Sequence, residues 1–92
     1  MGFEWHAAKA KANFRNHDVR FEESTAVFDD PYAITIADDE ADPAEERFVG
    51  IGIGALGRVL VVVYTYRSDN IRIISARIAA AHERAKYEAG LP

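Results

Sequence analysis

The stretch that most constrains the fold of this chain is the apolar run at residues 58–66, RVLVVVYTY. Apolar and largely β-branched side chains occupy both alternating positions of the run, which is typical of a strand covered on both faces. The run is too short to cross a bilayer. It therefore predicts the central strand of a sheet that has packing elements on both sides.

Turn residues flank this strand and predict hairpins on either side of it. Glycines at residues 54–57 form the turn before it, and a Ser-Asp-Asn turn at residues 68–70 follows it. Three further strands are predicted at residues 32–37, 47–53 and 71–75, and residues 3–5 form a short strand or an edge. The tight connections among the later strands predict an antiparallel meander.

Helix-forming residues occupy three other segments. A first helix is predicted over residues 6–17 and ends at Asp18, and a second over residues 21–28 is stopped before Pro31. Ser75 is the expected N-cap of a closing helix over residues 76–88, which Gly90 ends. The order β-α-α-β-β-β-β-α predicts an α+β class: one domain over residues 1–92, with two N-terminal helices and a C-terminal helix against a small antiparallel sheet.

Composition narrows the classes of function. The 92 residues suit one hydrophobic core, and the absence of cysteine and of a signal peptide predicts a cytoplasmic protein. The net charge is −4, but it is unevenly distributed: residues 1–57 carry 5 basic and 12 acidic side chains, whereas residues 58–92 carry 6 basic and 3 acidic ones. This asymmetry indicates a local anion site or two oppositely charged partners, although acidic loops also solubilise a fold.

Several familiar motifs are excluded by their context. Residues 52–57 match G-x-G-x-x-G, but a strand follows them, whereas a dinucleotide site requires a helix there. The three histidines have no metal-ligand spacing, and the acidic segment at residues 38–46 lacks the pattern of a calcium loop. We therefore expect neither a cofactor nor a metal.

Arginines carry the strongest functional signal. On the predicted closing helix Arg77 and Arg84 lie two turns apart, with Tyr87 on an adjacent stripe, so their side chains would converge on one anion. The spacing alone favours the alternative that these arginines form salt bridges with Glu83, Glu88 or the acidic segment.

Other side chains are candidates for supporting roles. Arg72 lies among apolar residues and Arg58 at the start of the central strand, where alternation places Arg58 and Arg67 on opposite faces. Glu46, beside Arg47, could act as a general base, although such glutamates are more often simply solvated. A positively charged His17 at the end of the first helix would interact favourably with the helix dipole, which indicates a structural role more than a catalytic one.

Four segments in their order along the chain resemble the BrnT toxins: ERxxxIG at residues 46–52, VVYTxR at 62–67, RIISAR at 72–77 and ERxxYE at 83–88. The resemblance covers essentially the whole chain. It implies a RelE-like fold, metal-independent endoribonuclease activity that inhibits translation, and a BrnA-like ribbon-helix-helix antitoxin that binds operator DNA. Many relatives have Asp at the position of His6, a better N-cap, and Gly at that of Asp18.

Together with this resemblance, the charge pattern leads to a mechanistic expectation. The ribose 2′-OH would attack the adjacent phosphate, and arginines would stabilise the transition state. We expect Arg77 and Arg84 to bind the reacting phosphate, with further support from Arg47, Arg58 and Arg72. Tyr87 or Glu46 is the expected proton-transfer group, and His17 is the next candidate for that role. The alternative is a non-catalytic co-repressor that acts only with its antitoxin.

Overall fold

The computed structural model of the chain describes residues 2–38 and 44–92. Within them the elements follow the predicted order, and the α+β class is confirmed. The strands are β1 (Phe3–Glu4), β2 (Ile34–Ala37), β3 (Phe48–Ile53), β4 (Val59–Arg67) and β5 (Asn70–Ile78). The helices are α1 (Ala7–His17), α2 (Phe21–Ser24), which a 3-10 turn (Thr25–Asp29) extends, and α3 (Ala81–Glu88).

The described strands form one sheet in the order β1-β5-β4-β3-β2. Strands β2 to β5 pair antiparallel as the predicted meander, and β1 adds to β5 in parallel. The run at residues 58–66 thus supplies the central strand, as predicted. A hairpin turn with Gly57 at φ 80° leads into β4, so the glycine-rich stretch opens onto a strand rather than a phosphate-binding helix.

Side chains of β4 alternate between two apolar clusters. On one side of the sheet, which we call the α1–α2 face, Leu60 and Val62 pack against Phe21 of α2. On the opposite side, the α3 face, Val61 packs against Ile51 and against Tyr87 of α3. Each fully buried side chain of this size stabilises the fold by about 1.5–3 kcal/mol, so β4 connects the two clusters into one stable unit.

Helix α1 lies along the edge of β5 and is attached by one buried side chain. The amide of Asn13 accepts a hydrogen bond from the Ala76 N–H (3.0 Å) and donates to the Ala76 carbonyl (2.8 Å). It also donates to the carbonyl of Val19 (2.9 Å). Asn13 therefore takes the place of a neighbouring strand where β1 no longer covers β5.

The two ends of α1 differ in how well they are capped. At the N-cap, His6 makes no side-chain hydrogen bond to the helix, in line with its being a poor capping residue. At the C-terminal end, Asp18 adopts the left-handed conformation (φ 57°) and its N–H bonds the Phe14 carbonyl, which terminates the helix as predicted.

The predicted start of the closing helix is wrong. Residues 76–78 continue β5 and pair with β4, so Ser75 is a strand residue rather than an N-cap, and α3 begins at Ala81 with Ala80 at the N-cap. The reason is tertiary: pairing with β4 outweighs the helix propensity of this alanine-rich stretch. The acidic segment predicted at residues 38–46 lies largely outside the described residues. None of the helices in the described ranges has the length and apolarity needed to cross a membrane.

Candidate functional site

A β-bulge places the two arginines of β5 on the same face of the sheet. Arg72 pairs with Thr65 and Arg77 with Val61, so five residues separate the arginines on β5 but only four separate their partners on β4. The extra residue is Ile74, at the register shift. In a regular strand Arg72 and Arg77 would point to opposite faces, whereas here both lie on the α3 face.

Arg72 belongs to a polar row that crosses the α3 face. Its Nη1 donates to Oε2 of Glu4 on β1 (2.9 Å), and Thr65 lies opposite it on β4. The Thr65 hydroxyl donates to the carbonyl of Glu46, which brings Arg47 into the same row. Arg47 and Arg72 thus lie on either side of Thr65.

An apolar strip separates this row from Arg77. By cross-strand register, Ile36, Val49 and Val63 form the strip, with Ser75 beside Val63 on β5, and Ile36 is 49% exposed. The positions of Thr65 and Val61, four residues apart on β4, set a spacing of roughly 13 Å between the two sets of arginines. The α3 face therefore has a shallow, partly apolar floor with guanidinium groups at both ends.

Arg77 makes a two-point contact with a carboxylate at the start of α3. Its Nη1 and Nη2 donate to Oε1 and Oε2 of Glu83 at 2.7 and 2.8 Å, and Oε1 also accepts the Ala80 N–H at 2.8 Å. Hydrogen bonds from Arg77, working against burial, lower the pKa of Glu83 to about 2. The same hydrogen bonds to Glu83 raise the pKa of Arg77, so both side chains are charged at neutral pH.

The predicted convergence of Arg77, Arg84 and Tyr87 on one helix is wrong, because Arg77 lies on β5. Arg84 is exposed on α3, and its Nε lies 3.5 Å from Oε1 of Glu88. Arg77 and Arg84 thus form the salt bridges to Glu83 and Glu88 that the sequence suggested. Tyr87 is 2% exposed and faces the interior rather than the solvent.

The phenol of Tyr87 is held by a carboxylate. Its hydroxyl donates to Oδ2 of Asp30 at 2.6 Å, and that interaction, together with burial, raises the pKa of Tyr87 to about 12. Burial acts to raise the pKa of Asp30, but hydrogen bonds from Tyr87 and from the N–H groups of Ile53 and Tyr32 outweigh it and lower the pKa. This contact attaches the C-terminal half of α3 to the connection before β2, which the Ile53 N–H also bonds from β3.

Arg58 lies on the opposite side of the molecule, against α2. Its guanidinium donates twice to the buried carboxylate of Glu23 and once to the carbonyl of Asp18 (2.9 Å). The hydrogen bonds that Arg58 donates to Glu23 outweigh the effect of burial and raise the pKa of Arg58. Arg58 therefore neutralises a buried carboxylate and does not join Arg72 and Arg77.

Two other candidates are solvent-exposed. His17 is the last residue of α1, as predicted. The backbone carbonyl of Glu46 accepts from Thr65 at the end of the polar row, and Nη2 of Arg47 lies 3.8 Å from Oε2 of Glu45. Of the predicted site residues, the structure thus brings Arg47, Arg72 and Arg77 to the α3 face, and the backbone carbonyl of Glu46 to its edge.

The carboxylates that hold these side chains were harder to predict from sequence. Glu4, Glu23 and Asp30 lie far along the chain from the groups they bind, and only the fold brings them together. Glu83 had a local signal, since it is six residues from Arg77. In the described part of the chain, no group of three or more His, Cys, Asp or Glu side chains is arranged to hold a metal ion.

Comparisons with known proteins point to one family. Residues 5–83 match the family model described as the ribonuclease toxin, BrnT, of type II toxin–antitoxin systems. Among solved structures, the crystal structure of the Brucella abortus ribonuclease toxin BrnT superposes with a TM-score of 0.67, at 22% sequence identity, over 87% of this chain and 97% of that one. That similarity supports the fold. No curated protein matches at the sequence level.

Proposed function

Because this chain belongs to the BrnT family of ribonuclease toxins from type II toxin–antitoxin systems, we propose that it is a metal-independent endoribonuclease that inhibits translation by cutting RNA on its α3 face. The observation that carries this proposal is the bulge at Ile74, which turns Arg72 and Arg77 to the same face. Bulges are frequent beside active sites because they redirect a side chain. The arginines and the apolar strip together fit a sugar-phosphate backbone and an unpaired base.

The proposed chemistry is an internal transfer at phosphorus. The ribose 2′-oxygen bonds to the adjacent phosphorus while the bond from phosphorus to the 5′-oxygen of the next nucleotide breaks. The products are a 2′,3′-cyclic phosphate, which water can open to a 3′-phosphate, and a 5′-hydroxyl. Arg77 stabilises the extra negative charge on the phosphorane oxygens, since a guanidinium matches that geometry and needs no metal.

Proton transfer requires a base near the 2′-hydroxyl and a donor near the leaving oxygen. We assign the base to Glu46, whose side chain is exposed and whose backbone carbonyl lies at the end of the polar row beside Arg47. Tyr87 is a weaker candidate because its hydroxyl is buried and bonded to Asp30. Arg84 and His17, both exposed, are secondary candidates for contacts with flanking phosphates.

A type II toxin requires an antitoxin, and we propose a BrnA-like ribbon-helix-helix protein that also connects the toxin to operator DNA. The acidic N-terminal half of the chain, with 12 acidic and 5 basic side chains over residues 1–57, would attract a basic segment of that partner. One observation favours the alternative of a non-catalytic co-repressor: Arg72 and Arg77 already have carboxylate partners in Glu4 and Glu83.

Expression and cleavage assays separate the two functions. Induced expression of the active toxin should arrest growth, and purified protein should cut RNA in the presence of EDTA. Arg77→Ala should abolish both effects, because it removes the charge that faces the phosphorane. Arg20→Ala is the matched control, since Arg20 is exposed and lies over the ring of Phe14 at the start of α2, on the α1–α2 side of the sheet. Strict dependence on added metal, or full activity of Arg77→Ala, would reject the proposed mechanism.

A further inference from the structure

The contact between Arg77 and Glu83 uses only one edge of the guanidinium. Glu83 accepts from Nη1 and Nη2, the two terminal nitrogens, at 2.7 and 2.8 Å. A guanidinium has five N–H donors, so three remain. Among the described residues, no acceptor is assigned to the Nε–H of Arg77. This leaves the side edge, formed by Nε and the adjacent Nη, as a second two-point donor.

The position of Glu83 is fixed by the start of α3. Its Oε1 accepts the Ala80 N–H (2.8 Å) as well as the hydrogen bond from Arg77, and its side chain is 17% exposed. At the other end of α3, the bond from Tyr87 to Asp30 attaches the helix to the connection before β2. The carboxylate is therefore held by the backbone and orients the more exposed guanidinium (43%) rather than following it.

We infer that Glu83 is a positioning residue for RNA cleavage, which holds Arg77 by its terminal edge so that its side edge faces the reacting phosphate. This inference rests on the proposed ribonuclease function. Carboxylate and phosphate both match two-point donation from a guanidinium, so one Arg77 can serve both at once. The hydrogen-bond donors of Arg77 then have a fixed direction relative to the substrate, and orientation of a catalytic group contributes a large part of an enzyme's rate acceleration.

Removal of the Glu83 carboxylate has opposite expected effects on cleavage, depending on whether Glu83 acts on Arg77 through charge alone or through orientation. Removing the carboxylate leaves Arg77 without its neutralising partner, so a face that acts only by charge should bind RNA more tightly and cut it at least as fast. If Glu83 orients Arg77, its loss should slow cleavage although binding is equal or tighter. Misplacement of a catalytic group can cost roughly a hundredfold in rate, and we expect a fall of about tenfold or more.

The experiment uses Glu83→Gln and a helix-repaired variant, Glu83→Ala combined with Ala80→Ser. Serine at the N-cap restores a cap to α3 that Glu83 otherwise supports through the Ala80 N–H. Binding is measured with fully 2′-O-methylated RNA, which lacks the attacking hydroxyl, and the single-turnover cleavage rate with the same sequence as ordinary RNA. The melting temperature of each variant reports folding, and Glu88→Gln, which removes the partner of Arg84, is the matched control.

The expected result is a slow but folded enzyme. In the repaired variant the melting temperature should recover towards wild type, RNA should bind at least as tightly, and cleavage should remain about tenfold or more slower, whereas Glu88→Gln cuts normally. Recovery of the cleavage rate together with stability would show that Glu83 serves only the helix, and would overturn the inference alone. If the wild type cuts no RNA, the proposed function falls and the inference with it.

Discussion

The pKa of Glu83 lies well below its ordinary value. Two hydrogen bonds from Arg77 and one from the Ala80 N–H stabilise the ionised carboxylate. Together they lower its pKa from 4.5 to about 2. Because the folded state holds the carboxylate ionised more strongly than the unfolded chain does, the folding free energy must depend on pH through this group.

The sign follows from the lowered pKa. The contribution of Glu83 is fully present above its unfolded pKa of 4.5 and is lost as the pH falls from there towards 2. We expect Glu83→Gln to be less stable than wild type by about 1–2 kcal/mol at pH 6, a figure reduced because Arg77 is partly exposed. The gap should narrow below pH 4.5 and close near pH 2. Chemical unfolding of both proteins at several pH values measures it, and a gap that stays constant with pH would contradict the assignment.

At the scale of elements, the sequence predicted the order of strands and helices but misplaced one boundary. Residues 75–80 read Ser-Ala-Arg-Ile-Ala-Ala, which local propensity places in a helix behind a serine cap. The structure instead continues β5 to Ile78, because Ile78 pairs with Leu60 and the Ala79 N–H donates to Val59. Pairing with residues this distant in the chain cannot be predicted from the local sequence around residues 75–80.

That boundary error is also why the predicted site was partly wrong. Placing Arg77 on a helix aligned it with Arg84, whereas on the strand its direction depends on the bulge at Ile74. Nothing in the isoleucine pair at residues 73–74 marks a bulge, and no local signal shows that Asn13 will bond both backbone groups of Ala76 beside it. The arginines themselves were visible in sequence, but their common face was not.

The bond from Tyr87 to Asp30 holds the C-terminal half of α3 against the connection that precedes β2, whereas Glu83 holds the start of the helix to Arg77 of β5. Tyr87→Phe keeps the ring that packs against Ile51 and Val61 but removes the hydroxyl, leaving Asp30 with one fewer donor. Hydrogen bonds to charged groups are worth about 1.5–3 kcal/mol, so we expect a loss of this size in unfolding free energy. Amide hydrogen exchange should show α3 opening more often than β4 does.

The control for this change is Tyr32→Phe, since Tyr32 is 46% exposed and its phenol should contribute little. If Tyr87→Phe were as stable as Tyr32→Phe, the hydroxyl of Tyr87 would not hold α3. The comparison also bears on mechanism: a destabilised but active Tyr87→Phe enzyme fits a structural tyrosine, whereas a stable and inactive one would return Tyr87 to the list of proton-transfer groups.

For the whole molecule, the two faces of the sheet use arginine differently. On the α1–α2 face, Arg58 neutralises the buried Glu23 and helps to hold α2 against β4. On the α3 face, Arg72 and Arg77 lie at the margins of an uncovered floor, each with one carboxylate neighbour and a partly exposed side chain. The excess of basic residues at positions 58–92 is therefore divided between support of the core and a surface suited to phosphate.

This division makes the salt dependence of RNA binding specific to one face. Each phosphate neutralised on a single strand contributes a slope of about −0.7 to log K against log salt. With fully 2′-O-methylated RNA, which blocks cleavage, Arg77→Gln should reduce the magnitude of the slope by about 0.7 because one phosphate contact is lost. Arg20→Gln, on the other side of the molecule, carries the same charge change and should leave the slope at the wild-type value. An equal reduction of the slope in both variants would mean that RNA binding depends on the overall charge of the protein. That result would reject the α3 face as the binding surface.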